Sequence, residues 1–183
     1  MALLDTPLCD FGAPAPDFSL KTPDGKLVTL DDARGPKGLL VAFVCNHCPY
    51  VVAVAARLGE DAKALREMGL GVVAIMSNDY RDYPADAPER MQPFADKYGW
   101  DFPYLIDEDQ SVGRAYGAVC TPDFFGYNAA LGLQYRGRLD SAGMGDASGR
   151  VPDLLNAMRA VAETGEGPAE QTPSMGCSIK WSR

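Results

Sequence analysis

The chain of 183 residues carries a formal net charge of −8, with 46% apolar and 23% charged residues. This size predicts one domain, residues 1–183, and the balance of apolar and charged residues excludes an intrinsically disordered chain. The acidity disfavours partners such as nucleic acid or anionic lipid, and no apolar stretch is long enough to span a membrane. The first residues lack a basic segment and meet Asp5 before any signal-like apolar region, so we expect a cytoplasmic protein.

The first half of the chain predicts a hairpin, a buried strand, a long helix and a second buried strand. Pro23-Asp24-Gly25 supplies the hairpin turn, and both strands are apolar runs of the kind found in parallel strands covered on both faces. Apolar residues at helical spacing, with few strong breakers, supply the helix. In order, these elements span residues 18–32, 38–44, 50–68 and 71–79.

The second half predicts a helix that contains Pro93, a short strand, a short helix that begins at Ser111, a hairpin and a closing helix. In order, these elements span residues 89–99, 102–107, 111–118, 123–140 and 151–163. This alternation predicts an α/β fold with a central mixed β-sheet flanked by helices.

Both ends of the chain lie outside this pattern. We expect residues 1–11 to form a loosely held N-terminal arm. Residues 165–183 form a tail rich in glycine, proline and polar residues, in which GCSIKW, residues 176–181, restores order-forming side chains.

The segment VCNHCPYV, residues 44–51, joins the first buried strand to the long helix. It contains Cys45, Cys48 and the chain's only histidine, His47. The chain has five cysteines, and an odd number in a reducing compartment argues against a structural disulfide framework. Cys45 and Cys48 are therefore predicted to be catalytic, redox-active or metal-binding.

The position of the pair favours thiol chemistry. Pro49 suits the first helical position, which puts Cys48 at the helix N-cap, where free backbone N–H groups and the helix dipole stabilise a thiolate. A protonated His47 would add to that effect. The turn between the two cysteines could bring their sulfurs together, so a reversible disulfide between Cys45 and Cys48 is geometrically feasible.

Two other interpretations compete with a redox pair. Cys45 and Cys48 could be ordinary buried thiols. They could also bind a metal ion. Zinc takes about four ligands, however, and His47 lies between the two cysteines, where it can hardly complete a tetrahedral coordination. We therefore predict neither a metal ion nor another cofactor.

Three segments resemble the thioredoxin superfamily, and within it the peroxiredoxin-like (AhpC/TSA-type redoxin) family. They are GAPAPDFSL, LLVAFVCNHCP and VCTPDFF, residues 12–20, 39–49 and 119–125. The likeness covers about Gly12 to Glu163. It implies a thioredoxin-like fold with the N-terminal hairpin as an extension, and a cis-proline at Pro122 opposite the reactive cysteine.

Two departures from the resembled families bear on the activity. A peroxiredoxin has Thr or Ser three residues before its peroxide-attacking cysteine, and Cys45 fills that place if Cys48 is the attacking residue. Where its arginine would be expected, this chain has Cys120-Thr121-Pro122, as in thioredoxin. Relative to thioredoxin, Cys48 matches the first cysteine and Val51 stands in place of the second.

The resemblance implies roles for five residues near the dithiol. Cys48 would be the nucleophile and Cys45 the resolving thiol. Pro122 in the cis form would hold Thr121 beside the sulfurs and expose a strand edge on which a substrate peptide could pair. His47 would either tune the thiolate or take no part.

Cys177 has two interpretations. On a mobile tail it would be a second resolving thiol; alternatively, Ile179 and Trp181 dock the tail in an apolar groove and leave Cys177 passive.

Other polar and thiol residues receive weaker assignments. Arg136 and Arg138 either reach the site or form the solvated face of a strand. Cys120 is expected to be a buried strand residue, Asp79 either influences the site through water or belongs to a turn, and Cys9 is given no role.

The resemblance implies a thiol-disulfide oxidoreductase that acts on protein or small-molecule disulfides and thiols and is recycled by a dithiol reductant. The first alternative is a thiol peroxidase in which Cys48 is oxidised directly by peroxide. The second is a non-catalytic metal-binding or partner-binding module. The sequence does not indicate an oligomeric state.

Overall fold

The computed structural model describes residues 2–183. Within them the strands are β1 (Leu3–Asp5), β2 (Ser19–Lys21), β3 (Leu27–Thr29), β4 (Gly38–Phe43), β5 (Leu70–Met76), β6 (Tyr104–Ile106), β7 (Cys120–Thr121), β8 (Asp123–Asn128), β9 (Leu133–Tyr135) and β10 (Met175–Ser178). The helices are α1 (Leu30–Ala33), α2 (Pro49–Glu67), α3 (Pro88–Lys97), α4 (Ser111–Tyr116) and α5 (Asp153–Thr164), with a 3₁₀ helix at Pro84–Asp86.

The central sheet is mixed, as predicted. Its strands follow the order β3-β2-β6-β5 on one side and β4-β8-β9 on the other. A hydrogen bond of 3.0 Å from the Val44 N–H to the Ile75 carbonyl joins the two halves just beyond β4. Strands β5 and β6 are parallel, whereas β4 and β8 are antiparallel along their whole length. The predicted hairpin of β2 and β3 also forms and pairs with β6.

Strand β4 shows how the sheet separates two cores. Leu40 and Ala42 face one cluster, and Leu39 and Val41 face the other, because successive side chains of a strand point to opposite faces. Helices α2, α3 and α5 contribute to the first cluster, and α1 and α4 to the second. All six residues of β4 are buried, which explains its near-continuous apolar sequence.

Helix α2 begins where the sequence predicts it. Cys48 is the N-cap and Pro49 follows in the first turn. Buried residues recur at helical spacing from Val51 to Leu65 and hold the helix against β5. The helix ends before Gly69, whose φ of +88° lies in the left-handed region that favours glycine.

Several boundaries differ from the sequence prediction: β5 ends at Met76 rather than at residue 79, and β9 covers only Leu133–Tyr135 of the hairpin predicted over residues 123–140. The first hairpin is also shorter. The predicted hairpin included Leu30 to Asp32, but these residues form the short helix α1. The Thr29 side chain accepts from the Asp32 N–H, and the Asp32 side chain accepts from the Thr29 N–H, so a capping box starts the helix. Helix α3, in contrast, runs through Pro93 without ending.

A second, smaller sheet has the order β1-β10-β7. The loosely held N-terminal arm that we expected is wrong for Leu3–Asp5, because this segment pairs antiparallel with β10. The pairing continues at Thr6, whose N–H donates to the Ser174 carbonyl at 2.9 Å. These strands are short and their partners lie at opposite ends of the chain, so no local pattern indicates them.

Between residues 2 and 183, no helix combines the length and the apolar character that a membrane crossing requires.

Candidate active site

The two cysteines of VCNHCPYV lie at the meeting point of β4, α2 and β7. Cys45 follows β4 by two residues and Cys48 caps α2. Both side chains are completely buried, and both are free thiols. The peptide bond between Thr121 and Pro122 is cis, which confirms that prediction.

Thr121 contacts both sulfurs. Its Oγ1 lies 3.4 Å from the Cys45 Sγ, and its carbonyl oxygen lies 3.3 Å from the Cys48 Sγ. The structure therefore brings the strand before the cis-proline against the dithiol, as the resemblance implied.

The two thiols differ strongly in acidity. A hydrogen bond from Cys45 is the largest cause that lowers the pKa of Cys48, from 9.0 to about 4, and it outweighs the opposing effect of burial. Further hydrogen bonds from Cys177 and Thr121 act in the same direction. The same bond to Cys48, together with burial, raises the pKa of Cys45 well above its ordinary value. At neutral pH, Cys48 is thus the thiolate and Cys45 is the thiol that donates to it.

The sequence predicted a thiolate at Cys48 that the helix terminus and His47 stabilise; the low pKa of Cys48 agrees with a thiolate, but its largest cause is the hydrogen bond from Cys45. The Cys48 side chain makes no capping hydrogen bond to α2. The Val51 and Val52 N–H groups donate to the Cys48 carbonyl. His47 turns toward an aspartate rather than toward the sulfur.

Replacing Cys45 should therefore raise the pKa of Cys48. A hydrogen bond to a charged group contributes about 1.5–3 kcal/mol, which corresponds to a shift of about one to two pKa units for Cys45→Ala. Cys45→Ser retains a donor and should shift the pKa less. The pH dependence of the ultraviolet absorbance of the thiolate measures the pKa of Cys48 in both variants, and Cys120→Ser is the control. Equal pKa values in Cys45→Ala and the wild type would contradict this assignment.

Asp86 is a site residue that sequence reasoning missed. It is completely buried at the end of the 3₁₀ helix, and its Oδ2 lies 2.6 Å from the His47 Nδ1. Its Oδ1 accepts from the backbone N–H groups of Asn46 and His47 at 2.7 and 3.2 Å. Asn78 donates to Oδ2 at 3.0 Å. The carboxylate thus shapes the turn between the two cysteines from nearly 40 residues away, and no local motif indicates it.

The contact between His47 and Asp86 favours a protonated imidazole and an ionised carboxylate. The hydrogen bond that His47 donates to Asp86 raises the pKa of His47, although burial acts in the opposite direction. Burial also opposes ionisation of Asp86, but the hydrogen bonds from His47 and Asn78 keep the pKa of its carboxyl below the ordinary value. The ring of His47 stacks on Tyr83, with 5.9 Å between ring centroids.

Cys45, His47 and Asp86 each place one metal-binding atom within 4.8 Å of the other two. The His47 Nδ1 bonds to the Asp86 Oδ2, which also accepts from Asn78, and the Cys45 Sγ lies 3.4 Å from the Thr121 Oγ1. Because zinc takes about four ligands, three atoms already committed to hydrogen bonds fit a polar network better than a metal centre.

Cys177 lies on β10, against Cys48. The tail is docked rather than mobile, as the second interpretation predicted. Ile179 is buried in the core, and Trp181 packs against the same cluster. Burial and the hydrogen bond to Cys48 raise the pKa of Cys177 to about 12, so it is a protonated donor.

The edge of β7 that we expected to be free for a substrate peptide is occupied. Strand β10 pairs with it, so Cys177 faces Thr121 and Ser178 faces Cys120. This correction follows from a pairing between segments more than 50 residues apart, which sequence patterns do not reveal.

The remaining candidates lie away from the dithiol. Arg136 is buried and pairs with Asp123 at 2.9 Å, and Arg138 pairs with Asp153 at 2.7 Å. Neither forms part of the contacts to Cys48.

Three further residues take structural positions. Cys120 is buried in β7, as predicted. Asp79 belongs to a turn, where its carboxylate accepts from the Arg81 N–H at 3.1 Å. Cys9 is half-buried against the second core cluster.

A cavity of about 530 Å³ opens beside Pro122. Tyr50 and Val54 of α2, Leu139 and Met144 form part of its wall. Its partly apolar wall could hold the apolar part of a ligand beside the cis-proline.

A dithiol at a strand-to-helix junction, beside a cis-proline on a mixed sheet, defines a thiol-based redox protein of the thioredoxin superfamily. A family model described as the AhpC/TSA family matches residues 11–141. The chain therefore belongs to the AhpC/TSA family, and the peroxiredoxin-like resemblance found in the sequence is confirmed.

Two curated relatives show the range of the family. The chain is 29% identical to Peroxiredoxin Bcp of Escherichia coli K12 over 142 residues, which cover 78% of this chain and 82% of that protein. It is 29% identical to the thiol-disulfide oxidoreductase ResA of Halalkalibacterium halodurans over 114 residues, which cover 62% of this chain and 60% of that protein. At the level of the family, peroxiredoxin-like or thiol-disulfide oxidoreductase function is supported.

Solved structures confirm the thioredoxin-like fold. An uncharacterized conserved protein from Geobacillus kaustophilus matches with a TM-score of 0.91 and 39% identity, covering 100% of this chain and 97% of that chain. A hypothetical protein from Sinorhizobium meliloti 1021 matches with a TM-score of 0.91 and 41% identity, covering 97% of both chains. The thioredoxin domain of a Bacteroides vulgatus thiol-disulfide oxidoreductase shares the fold at 17% identity and a TM-score of 0.65, covering 83% of this chain and 97% of that chain.

Proposed function

We propose that the protein is a thiol-disulfide oxidoreductase with Cys48 as the nucleophile and Cys45 as a resolving thiol. The observation that supports this most directly is the geometry of the pair: two buried free thiols that both contact Thr121, before the cis-proline, at 3.4 and 3.3 Å. Cys45 also lowers the pKa of Cys48 to about 4. The substrates are disulfides of proteins or small molecules, and a dithiol reductant in a reducing compartment such as the cytoplasm restores the reduced pair.

The reaction consists of two exchange steps. The Cys48 thiolate attacks one sulfur of a disulfide, forms a mixed disulfide and releases the other half as a thiolate, which takes a proton from water. Cys45 then attacks the Cys48 sulfur, so that a Cys45–Cys48 disulfide forms and the second half leaves with the Cys45 proton. The substrate gains two electrons and the pair loses two, which the external dithiol returns.

The other site residues position these sulfurs. Thr121 contacts both cysteines, and Pro122 fixes its carbonyl beside Cys48. His47 binds Asp86 and so fixes the turn between the cysteines. We assign these three residues positioning roles rather than chemical ones.

A thiol peroxidase is the second candidate, and the complete burial of Cys48 favours it, because a small peroxide reaches a covered sulfur more easily than a protein disulfide does. The chain's relation to Peroxiredoxin Bcp agrees with this candidate. Against it stands the pairing of Arg136, whose guanidinium is buried and bound to Asp123.

Stopped-flow oxidation of the reduced protein tests the two candidates directly. We expect 2-hydroxyethyl disulfide to oxidise Cys48 at a higher second-order rate than hydrogen peroxide does, since the site offers thiol donors but no free guanidinium to polarise an O–O bond. Intrinsic fluorescence follows the reaction, and peptide mapping after acid quench identifies the Cys45–Cys48 product. A faster reaction with peroxide would replace the proposal by the second candidate.

A further inference from the structure

We propose that β10 supplies an internal substrate thiol: Cys177 reacts first with oxidised Cys48, and Cys45 then displaces Cys177. This inference rests on the proposed role of Cys48 as the nucleophile. It adds a third thiol to the reaction and assigns a function to the C-terminal segment, which lies beyond the residues that the family model matches.

The backbone of β10 occupies the position of a bound substrate peptide. It pairs antiparallel with β7, the strand that ends at the cis-proline, and Cys177 lies directly opposite Thr121. This is the edge from which a peptide bound by strand addition would present its sulfur to Cys48.

The close fit of β10 to this edge depends on Gly176. A Cβ atom at this position would overlap the carbonyl oxygen of Thr121. On either side, Ser174 Oγ donates to the Pro122 carbonyl at 2.8 Å and the Ile179 N–H donates to the Val119 carbonyl at 3.2 Å. The segment is therefore held on both sides of Cys177, which keeps the thiol in place.

Cys177 lies in the same buried core cluster as Cys48, opposite Thr121, whose carbonyl oxygen is 3.3 Å from the Cys48 sulfur. Hydrogen bonds from the Cys177 thiol and backbone are among the causes that lower the pKa of Cys48. Strand β10 also covers Cys48, so an external oxidant reaches the thiolate when β10 opens locally.

The first internal step balances for either type of oxidant. When Cys48 carries a mixed disulfide, Cys177 attacks the Cys48 sulfur, the Cys48–Cys177 bond forms, and the external thiol leaves with the Cys177 proton. When a hydroperoxide has converted Cys48 to a sulfenic acid, the S–O bond breaks instead and the proton leaves with the hydroxide as water.

Oxidation of Cys48 also activates Cys177. Besides burial, the causes that raise the pKa of Cys177 are its hydrogen bond to the Cys48 thiolate and the charge of that thiolate. Both disappear when Cys48 is oxidised, so the Cys177 thiolate becomes easier to form. Lys180 lowers the pKa of Cys177, and Asp86 raises the pKa of Cys45, although Thr121 lowers it. The position of Cys177 opposite Thr121 and these two charges support its reaction before Cys45.

Cys45 completes the sequence. It attacks the Cys48 sulfur of the Cys48–Cys177 disulfide, and Cys177 leaves as a thiol that returns to its place opposite Thr121. The final product is the same Cys45–Cys48 disulfide that the dithiol reductant reduces.

Rapid-quench disulfide mapping tests this order of events. The reduced full-length protein is mixed with one equivalent of 2-hydroxyethyl disulfide, quenched with acid at successive times, alkylated and mapped by mass spectrometry. In the wild type, the Cys48–Cys177 disulfide should rise before the Cys45–Cys48 disulfide and then decay. In Cys45→Ser, the Cys48–Cys177 disulfide should accumulate as the main product, and Cys120→Ser should behave as the wild type.

Gly176→Val provides a second test that keeps all five thiols. Its Cβ should displace β10 from β7, so the yield of Cys48–Cys177 falls and alkylation of Cys48 accelerates by about tenfold. Met175→Val is the matched control, because Met175 is exposed in the same strand and its replacement should leave both results unchanged.

The outcomes separate this inference from the proposed function. If Cys45→Ser retains the probe on Cys48 while Cys177 stays free, and the wild type still forms Cys45–Cys48, the inference fails and the proposed function stands. If Cys48 remains unoxidised in the wild type and in every variant, both fail.

Discussion

Replacing Cys48 by serine is expected to lower the rate of reduction of 2-hydroxyethyl disulfide by at least about a thousandfold, because a serine hydroxyl is not ionised at neutral pH and cannot form the mixed disulfide. Every other step depends on that intermediate. The measurement is the steady-state rate with an excess of dithiol as reductant.

Cys120→Ser is the matched control for Cys48→Ser. Cys120 is equally buried and lies one residue before Thr121, but it does not contact the sulfur of Cys48 in the way that Cys45 and Cys177 do. It should retain nearly the full rate. A Cys48→Ser variant that keeps more than a tenth of the wild-type rate would place the nucleophile elsewhere.

Replacing Asp86 by asparagine is expected to lower the free energy of unfolding by about 3 kcal/mol, the scale of breaking a buried charge pair by removing one partner. The amide of the new side chain cannot accept from His47, Asn78 and the turn N–H groups at once. Most of the loss comes from these buried bonds, since His47 is partly exposed and its charge is screened. Asp79→Asn is the control, because Asp79 makes only a turn contact.

The His47–Asp86 pair should also give the stability a pH dependence. Because Asp86 raises the pKa of His47 in the folded state, this contribution is fully present below the unfolded pKa of about 6.5 and is lost as the pH rises through the folded value. Denaturant unfolding of the wild type should show a free energy of unfolding that falls as the pH rises from 5.5 to 8.5. This fall should be absent in Asp86→Asn. An NMR titration in which His47 keeps its raised pKa in the variant would contradict the assignment.

The positions of the helices and of the central strands could be predicted from the sequence because their signals are local. The alternation of Leu39 to Phe43 between two cores makes β4 apolar throughout, and Pro49 marks the start of α2. The same local signals placed Cys48 at the N-cap. Together with the three segments that resemble the family, they predict the fold and the position of the dithiol.

The environment of the dithiol was less predictable, because it consists of contacts between distant segments. The acidity of Cys48 depends on Cys45, Cys177 and Thr121, and only the first of these is near in sequence. Sequence reasoning therefore credited the helix terminus and His47, the two influences that lie within a few residues.

The sequence alone determined the α/β fold, the family resemblance, and the place of Cys45 and Cys48 at a strand-to-helix junction, since periodicity and turn chemistry operate over a few residues. Only the tertiary structure revealed that Asp86 holds the turn between the cysteines and that β10 covers Cys48 with Cys177. Both features come from pairing and burial between segments 38 or more residues apart, and a pairing of that kind depends on the whole fold rather than on either segment.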